Sequence, residues 1–105
     1  MSNLYRGTTP MVILKIKTKD FDMTQIDTCH VTIMNDNGRN KKVFEHPNID
    51  VEDKTISVPL SQTDTLNYEY GKINIQARIK LNNGSVITHA VVTTTMEKIL
   101  EETIL

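Results

Sequence analysis

The sequence predicts an all-β fold in which two antiparallel sheets pack as a sandwich, and three observations support it. Apolar and polar residues alternate in several short segments, which is typical of strands with one buried face. Turn-forming residues separate these segments, and no long helical pattern precedes the last ten residues. One hairpin, at residues 71–95, has a continuous apolar face that a second layer must cover. At 105 residues, the chain is expected to form a single domain.

The hairpin at residues 71–95 has the strongest pattern. Its first arm carries apolar side chains at every second position: Ile73, Ile75, Ala77, Ile79 and Leu81. Burying the four large aliphatic side chains is worth roughly 6–12 kcal/mol as an upper estimate. Asn83 and Gly84 are expected to supply the positive φ angles of a tight turn. The return arm is rich in Val, Ile and Thr, which favour strands.

Four earlier segments are also predicted to be strands. They cover residues 11–18, residues around 29–34, residues 42–46 and residues around 56–60. Their inward-facing residues are expected to be Val12, Leu14, Ile16, Cys29, Val31, Ile33, Ile56, Val58 and Leu60. Residues 48–53 form either a loop or a very short strand, and Pro59 marks a sheet edge or a strand end. Phe21 and Met23 are expected to close one end of the core.

Three remaining segments connect or flank the strands. Ser61, followed three residues later by Asp64, predicts a capped helical turn at residues 61–68. Residues 1–10 are expected to form an extended arm, and residues 96–105 either a helical turn or a docking tail. Six or seven short strands separated by turns indicate an immunoglobulin-like antiparallel β-sandwich, with a small barrel as the competing all-β fold.

The charge balance argues against two classes of partner. Twelve basic and 13 acidic residues give a net charge of -1, whereas nucleic-acid or membrane-surface binding favours a basic excess. The basic run at residues 15–19 alternates with Ile16 and Thr18, as expected for the solvated face of a strand. The chain has neither a signal-like nor a membrane-spanning apolar run, so we expect a soluble protein made in a cytoplasm.

The residues that could carry chemistry do not form a recognisable site in the sequence. His30, His46 and His89 lack metal-ligand spacing, and the group Asp20, Asp22 and Asp27 lacks the other ligands of a calcium loop. Cys29 and His30 are neighbours on a strand, so their side chains point to opposite faces. A single cysteine cannot form an intramolecular disulfide. We therefore predict no enzymatic activity, no cofactor, and no catalytic, cofactor-binding or metal-binding residues.

Several short motifs resemble those of one phage protein family. The motifs are Arg6-Gly7-Thr8-Thr9-Pro10, Leu60-Ser61-Gln62-Thr63-Asp64-Thr65-Leu66, Gly71, Gln76-Ala77-Arg78, the Asn83-Gly84 hairpin turn and Ile99-Leu100. Their order is similar to that in small proteins encoded by phages and prophages of Gram-positive bacteria. Those proteins resemble the immunoglobulin-like N-terminal domain of phage baseplate upper proteins, which attach receptor-binding proteins to the tail.

The resemblance implies a non-enzymatic virion structural protein that is made in the host cytoplasm. Such a protein would act as an adaptor or assembly module of the tail or baseplate. Its implied partners are other phage structural proteins and further copies of itself, without nucleic acid or membrane. Because baseplate upper proteins continue into long connecting regions whereas this sequence ends at Leu105, a capsid decoration subunit is an alternative.

The predicted interface comprises three groups of residues. Its members are Arg6, Gln76, Arg78, Ile99, Leu100, Ile104 and Leu105. Each group also has a purely structural interpretation: the arm can fray, the strand face can keep the sheet soluble, and the tail can cap the domain's own core. A carbohydrate- or receptor-binding module is the second functional hypothesis. It would use Tyr5, Tyr68 and Tyr70, of which the last two share a face if their segment is extended.

Overall fold

The structure is a computed structural model that describes residues 3–18 and 21–105. Lys19 and Asp20, members of the basic run and the acidic group discussed above, lie outside the described residues. The described strands are β1 (Leu4–Tyr5), β2 (Met11–Lys15), β3 (Ile26–Asn35), β4 (Lys42–Phe44), β5 (Asn48–Asp50), β6 (Thr55–Pro59), β7 (Gly71–Leu81), β8 (Val86–Thr88) and β9 (Val92–Glu97). Helix α1 (Gln62–Leu66) connects β6 to β7, and a 3-10 turn, Met23–Gln25, precedes β3.

The strands form two separate sheets, which confirms the predicted sandwich rather than the barrel. The larger sheet has the order β1-β9-β7-β3-β4, with β8 also paired to β7. The smaller sheet has the order β2-β6-β5. Every pairing is antiparallel except that of β1 with β9, which is parallel. Strand β7 is central because it pairs with β3 on one side and with β8 and β9 on the other.

The core lies between the two sheets and follows the predicted alternation. Its buried members include every inward-facing residue predicted for β2, β3 and β6, together with Ile73, Ile75, Ala77 and Ile79 of β7. Leu81, at the end of β7, is only partly buried. Met23 is buried and Phe21 packs against the core beside it, as expected for side chains that close one end.

The hairpin after β7 differs from the prediction in its turn and in its return arm. Only Gly84 has a positive φ, of 89°, and the amides of Leu81 and Gly84 bond to the carbonyls of Ser85 and Leu81 at 2.8 and 2.9 Å. This is a three-residue loop ending in a left-handed glycine, not a two-residue turn. The return arm carries one extra residue at positions 89–91, a bulge that separates β8 from β9.

Two segments near the chain ends join the larger sheet, which the sequence did not predict. The predicted arm contains β1, whose buried Leu4 pairs with Met96. At the other end β9 continues through Glu97, and residues 98–105 form an irregular segment, hereafter the tail. Of the two alternatives for residues 96–105, the structure therefore has a tail and not a helical turn, and the sheet incorporates the first two of these residues.

Helix α1 confirms the capping signature. The Ser61 hydroxyl accepts a hydrogen bond from the Asp64 amide at 3.0 Å, and the Asp64 carboxylate accepts one from the Ser61 amide at 2.9 Å. Asp64 also pairs with Lys42 of β4, which joins the helix to the edge of the larger sheet. The strand predicted at 42–46 ends earlier, at Phe44, and Pro59 is the last residue of the central strand β6. None of the described helices is long and apolar enough to cross a membrane.

Candidate protein-binding surfaces

Arg6 connects the amino-terminal arm to two other segments. Its Nη2 donates a hydrogen bond to the carbonyl of Leu66 at 3.0 Å, and its Nη1 forms an ion pair with Glu102 in the tail. The side chain is only 21% exposed. This predicted interface residue is therefore anchored within the domain, so the fraying interpretation does not describe its position.

The contacts around Arg6 bring together three motifs that are distant in the sequence. The Thr65 hydroxyl donates to the carbonyl of Thr8 at 2.9 Å, and the Leu60 amide donates to the carbonyl of Pro10 at the same distance. Gly7 has a φ of 73°, and a Cβ atom there would lie 2.9 Å from Cδ1 of Ile99. We call residues 6–10, residues 60–66 and Ile99 the arm–helix–tail cluster.

The four predicted tail residues have different environments. Ile99 is half-buried against the arm, consistent with the structural interpretation. Leu100 is fully exposed, Ile104 is 57% exposed and Leu105 is 94% exposed. The main chain of Leu105 is held by Gln62, which accepts from its amide at 2.8 Å and donates to its carbonyl at 3.2 Å. Polar contacts thus position the end of the tail while its apolar side chains face solvent.

Gln76 and Arg78 lie on the outer face of the larger sheet. Both line a shallow depression of about 410 Å³. The other residues that line it are His30, Thr32, Met34, Lys41, Val43, Asn74 and Val91. Arg78 is exposed, whereas Gln76 is half-buried and donates to the carbonyl of His89 at 3.1 Å. Because the lining combines Arg78 and Lys41 without an acidic side chain, the depression favours negatively charged groups.

A larger groove opens along one side of the sandwich, and sequence reasoning did not identify it. This edge groove, of about 890 Å³, runs between β2 and the segment containing β8 and the bulge. Core residues form its floor: Leu4, Leu14, Ile16, Ile79 and Val92. Met11 and Ile13, which are 50% and 53% exposed, lie on its β2 side. Their apolar character on the outward face of a strand was the one available sequence signal.

The backbone of β2 faces this groove. Strand β2 ends the smaller sheet, so one of its edges has no strand partner in the described part of the chain. Ile16 donates to the Lys54 carbonyl at 2.9 Å, so even-numbered residues direct their backbone groups toward β6. Ile13 and Lys15 therefore direct theirs toward the groove. From the opposite side His89 reaches across, and its Nε2 lies 3.4 Å from the Lys15 carbonyl oxygen.

The tyrosines do not form the exposed pair that the sequence predicted. Tyr68 is buried and donates a hydrogen bond to the Ile33 carbonyl at 3.1 Å, while Tyr70 is 63% exposed. Burial, reinforced by the charge of Asp64, raises the pKa of the Tyr68 hydroxyl above its ordinary value. The condition for a shared face, an extended segment, is not met, because the chain after α1 turns at Asn67 and bends at Tyr68 and Tyr70. Tyr5 is 50% exposed.

The histidines and the cysteine lie apart. His30 lines the outer-face depression, His89 lines the edge groove and His46 is exposed after β4. In residues 3–18 and 21–105, no group of three or more His, Cys, Asp and Glu side chains is placed to hold a metal ion. Cys29 is buried as predicted, and burial raises the pKa of its thiol to about 11.

Comparison with known proteins identifies structural neighbours only. No protein-family model and no curated protein matches the sequence. The fold is similar to that of CopC from Methylosinus trichosporium OB3b, with a TM-score of 0.56 and 10% identity over 96% of this chain and 89% of that chain. It is also similar to part of a putative glycoside hydrolase from Bacteroides vulgatus ATCC 8482, with a TM-score of 0.51 and 12% identity. That match covers 96% of this chain but only 17% of the hydrolase. At these identities the likeness concerns the fold alone.

Proposed function

We propose that this protein is a non-enzymatic structural component of a phage particle, an adaptor or assembly module of the tail or baseplate that acts through protein–protein contacts. The observation that carries the proposal is the arm–helix–tail cluster. Three motifs that resemble one phage family are distant in the sequence, yet Arg6, Thr65 and Ile99 join them into one structural unit. Motifs that form one unit in the fold are better explained by a common origin than by separate coincidences.

The exposed tail is the part of this unit that we expect to contact a neighbour. The cluster holds the tail at the end of the sandwich where α1 lies, while Leu100 and Leu105 remain exposed. Large apolar side chains that are exposed close together mark protein-binding sites more often than isolated ones do. Arg78, on the outer-face depression, offers a second, positively charged contact surface.

Localisation in purified particles tests the proposal. Phage particles from the strain that encodes the protein are purified by density gradient, analysed by mass spectrometry and labelled with antibodies for electron microscopy. We expect the protein in the particles, with the label at the tail or baseplate. Label on the capsid would instead support the decoration-subunit alternative. A protein that is abundant in producing cells but missing from intact particles would refute the virion role.

Variants identify the contact surface within the same assay. Replacing Leu100, Ile104 and Leu105 together by serine removes exposed apolar side chains without disturbing the core. We expect this variant to be incorporated into particles several-fold less than the wild type. The matched control is Ile49→Ser on β5, which is also exposed but is far from the tail in the sequence. Equal incorporation of the two variants would exclude the tail as the contact.

A further inference from the structure

We infer that the edge groove binds the tail of a second copy of this chain as an added antiparallel strand on β2. The inference rests on the proposed function, because it takes the domain to work by assembly. It identifies the partner as another copy of this chain. The groove has the two features that strand addition requires: a backbone edge without a strand partner in the described residues, and an apolar floor. The side chain of His89, whose Nε2 lies 3.4 Å from the Lys15 carbonyl oxygen, must move aside to admit the added strand. Ile13 and Lys15 provide the edge, and core residues such as Leu14 provide the floor.

Charge complementarity selects the tail as the occupant. Lys15 and Lys17 line the edge groove, and none of the lining residues that the structure describes is acidic. The tail carries the acidic pair Glu101 and Glu102, followed by Thr103 and two exposed apolar residues. An extended segment with acidic residues at one end and apolar residues at the other therefore matches a groove with lysines at one end and Ile13 at the other.

One antiparallel register satisfies the Lys17–Glu101 charge pairing and the backbone requirement together. Pairing Lys17 with Glu101 and Ile13 with Leu105 places the ion pair and the apolar pair on the outer face. The backbone groups of odd-numbered β2 residues face the groove, so these are the positions at which hydrogen bonds to the added strand form. Ile104 then points inward beside Leu14, and Glu102 points inward beside Ile16, at the end of the groove that Lys17 lines.

The tail is available for such an exchange. Residues 98–105 belong to none of the described strands. Side chains hold the tail to the domain: Arg6 pairs with Glu102, Gln62 bonds to the main chain of Leu105, and the centre of the Tyr70 ring lies 5.6 Å from Nζ of Lys98. The exchange breaks these contacts, including the part-buried Arg6–Glu102 ion pair, and the added strand must replace them. No tail residue lines the groove of its own copy. Eight extended residues span roughly 25 Å, enough to cover β2 of a neighbour.

Sedimentation velocity across a range of concentrations tests the inference. We expect the wild-type protein to form dimers or larger species as the concentration rises. Deletion of residues 100–105 should leave a monomer. Ile13→Pro should also give a monomer, because it removes an amide that faces the groove rather than β6. Ile13→Val keeps that amide and is the matched control, and circular dichroism verifies that each variant is folded.

A charge exchange tests the register. Lys15→Glu combined with Lys17→Glu should weaken self-association by about tenfold, and adding Glu101→Lys should restore part of it. Lys72→Glu, at an exposed lysine that does not line the groove, is the control and should have no effect. A double variant that is not rescued by Glu101→Lys would overturn the proposed pairing.

Two results would overturn the inference as a whole. One is a wild-type protein that remains monomeric at about 100 μM. A protein that is monomeric because its own tail occupies its own groove counts as the same result. The other is self-association that neither tail deletion nor Ile13→Pro reduces. Incorporation into particles is measured separately, so a monomeric protein found in virions would refute only this inference. A self-associating protein absent from virions would refute only the proposed function.

Discussion

Asp64 stabilises the connection between the two sheets through two different contacts. Its carboxylate accepts from the Ser61 amide and pairs with Lys42 of the larger sheet. Burial alone would raise the pKa of Asp64, but the hydrogen bonds from Lys42 and Ser61 outweigh it and hold the pKa below its ordinary value. A carboxyl group whose pKa is lowered by folding stabilises the fold above its unfolded pKa, near 4. That contribution is lost as the pH falls through the folded value.

We expect Asp64→Ala to lower the free energy of unfolding by about 1–2 kcal/mol at pH 7, since it removes half of the capping box and the Lys42 contact. Asp64→Asn keeps an acceptor for the Ser61 amide and should cost less. Urea denaturation at a series of pH values measures both. The deficit of Asp64→Ala should shrink as the pH falls below the unfolded pKa and through the lowered folded pKa of Asp64. A deficit that is independent of pH would contradict the role of the charge.

Cys29 should be unreactive in the folded protein. Burial raises the pKa of its thiol to about 11, so almost no thiolate is present at pH 8. We expect the thiol reagent DTNB to react at least about 100-fold more slowly with native protein than with protein unfolded in urea. The control is the double variant Thr28→Cys, Cys29→Ala, which places the thiol on the exposed neighbouring position. Equal rates in the native and unfolded protein would show that Cys29 is accessible.

The difference between Cys29 and Tyr68 shows how far single residues could be predicted. Cys29 lies within a strand, so the alternation of apolar and polar residues predicted that its side chain faces the core. Tyr68 follows α1, where turns break the alternation, and its burial depends on contact with Ile33 of β3. The anchoring of Arg6 depends in the same way on Leu66 and Glu102, which no local pattern connects to it.

At the scale of elements, strands with a long alternating pattern were predictable and short or irregular ones were not. The buried faces of β2, β3, β6 and β7 follow directly from their sequences. Strand β1 has only two residues and exists because β9 lies beside it. The bulge after β8 leaves no clear signature, because the return arm is rich in strand-forming residues throughout. Helix α1 was predictable because its cap is formed by residues close together in sequence.

Alanine variants of two glycines with similar backbone angles measure how tightly the amino-terminal arm packs. Gly7 and Gly84 have φ angles of 73° and 89°, but only Gly7 has a neighbour, Ile99, where a Cβ atom would lie. We expect Gly84→Ala to cost about 1 kcal/mol from backbone strain alone, and Gly7→Ala to cost more because Ile99 must move. Thermal denaturation of the two variants measures the difference. Equal costs would mean that Ile99 does not restrict the arm.

At the scale of the whole molecule, the central position of β7 should determine the order in which regions open. Strand β7 has strand neighbours on both sides and its apolar side chains are buried, whereas β8 is exposed and the tail lies outside the sheets. The edge groove also belongs to this scale. It exists because an edge of one sheet lies beside an edge of the other, an arrangement that no single segment specifies.

Hydrogen exchange measured by NMR tests this order. We expect the amides of Ile73–Ile79 to exchange last, at rates set by global unfolding, and those of residues 98–105 to exchange first. Residues of β8 should exchange well before those of β3, which pairs with β7 over most of its length. Amides of β7 that exchange as fast as those of β8 would contradict the assignment of β7 as the centre of the sheet.

The parallel pairing of Leu4 with Met96 has a consequence for synthesis on the ribosome. Strand β1 is translated first, but its partner β9 is among the last segments to emerge. The amino-terminal residues must therefore wait, unpaired, until translation of the domain is nearly finished. Because contacts between distant parts of a chain form slowly, docking of this strand is expected to be a late step in folding of the domain, after β9 has left the ribosome.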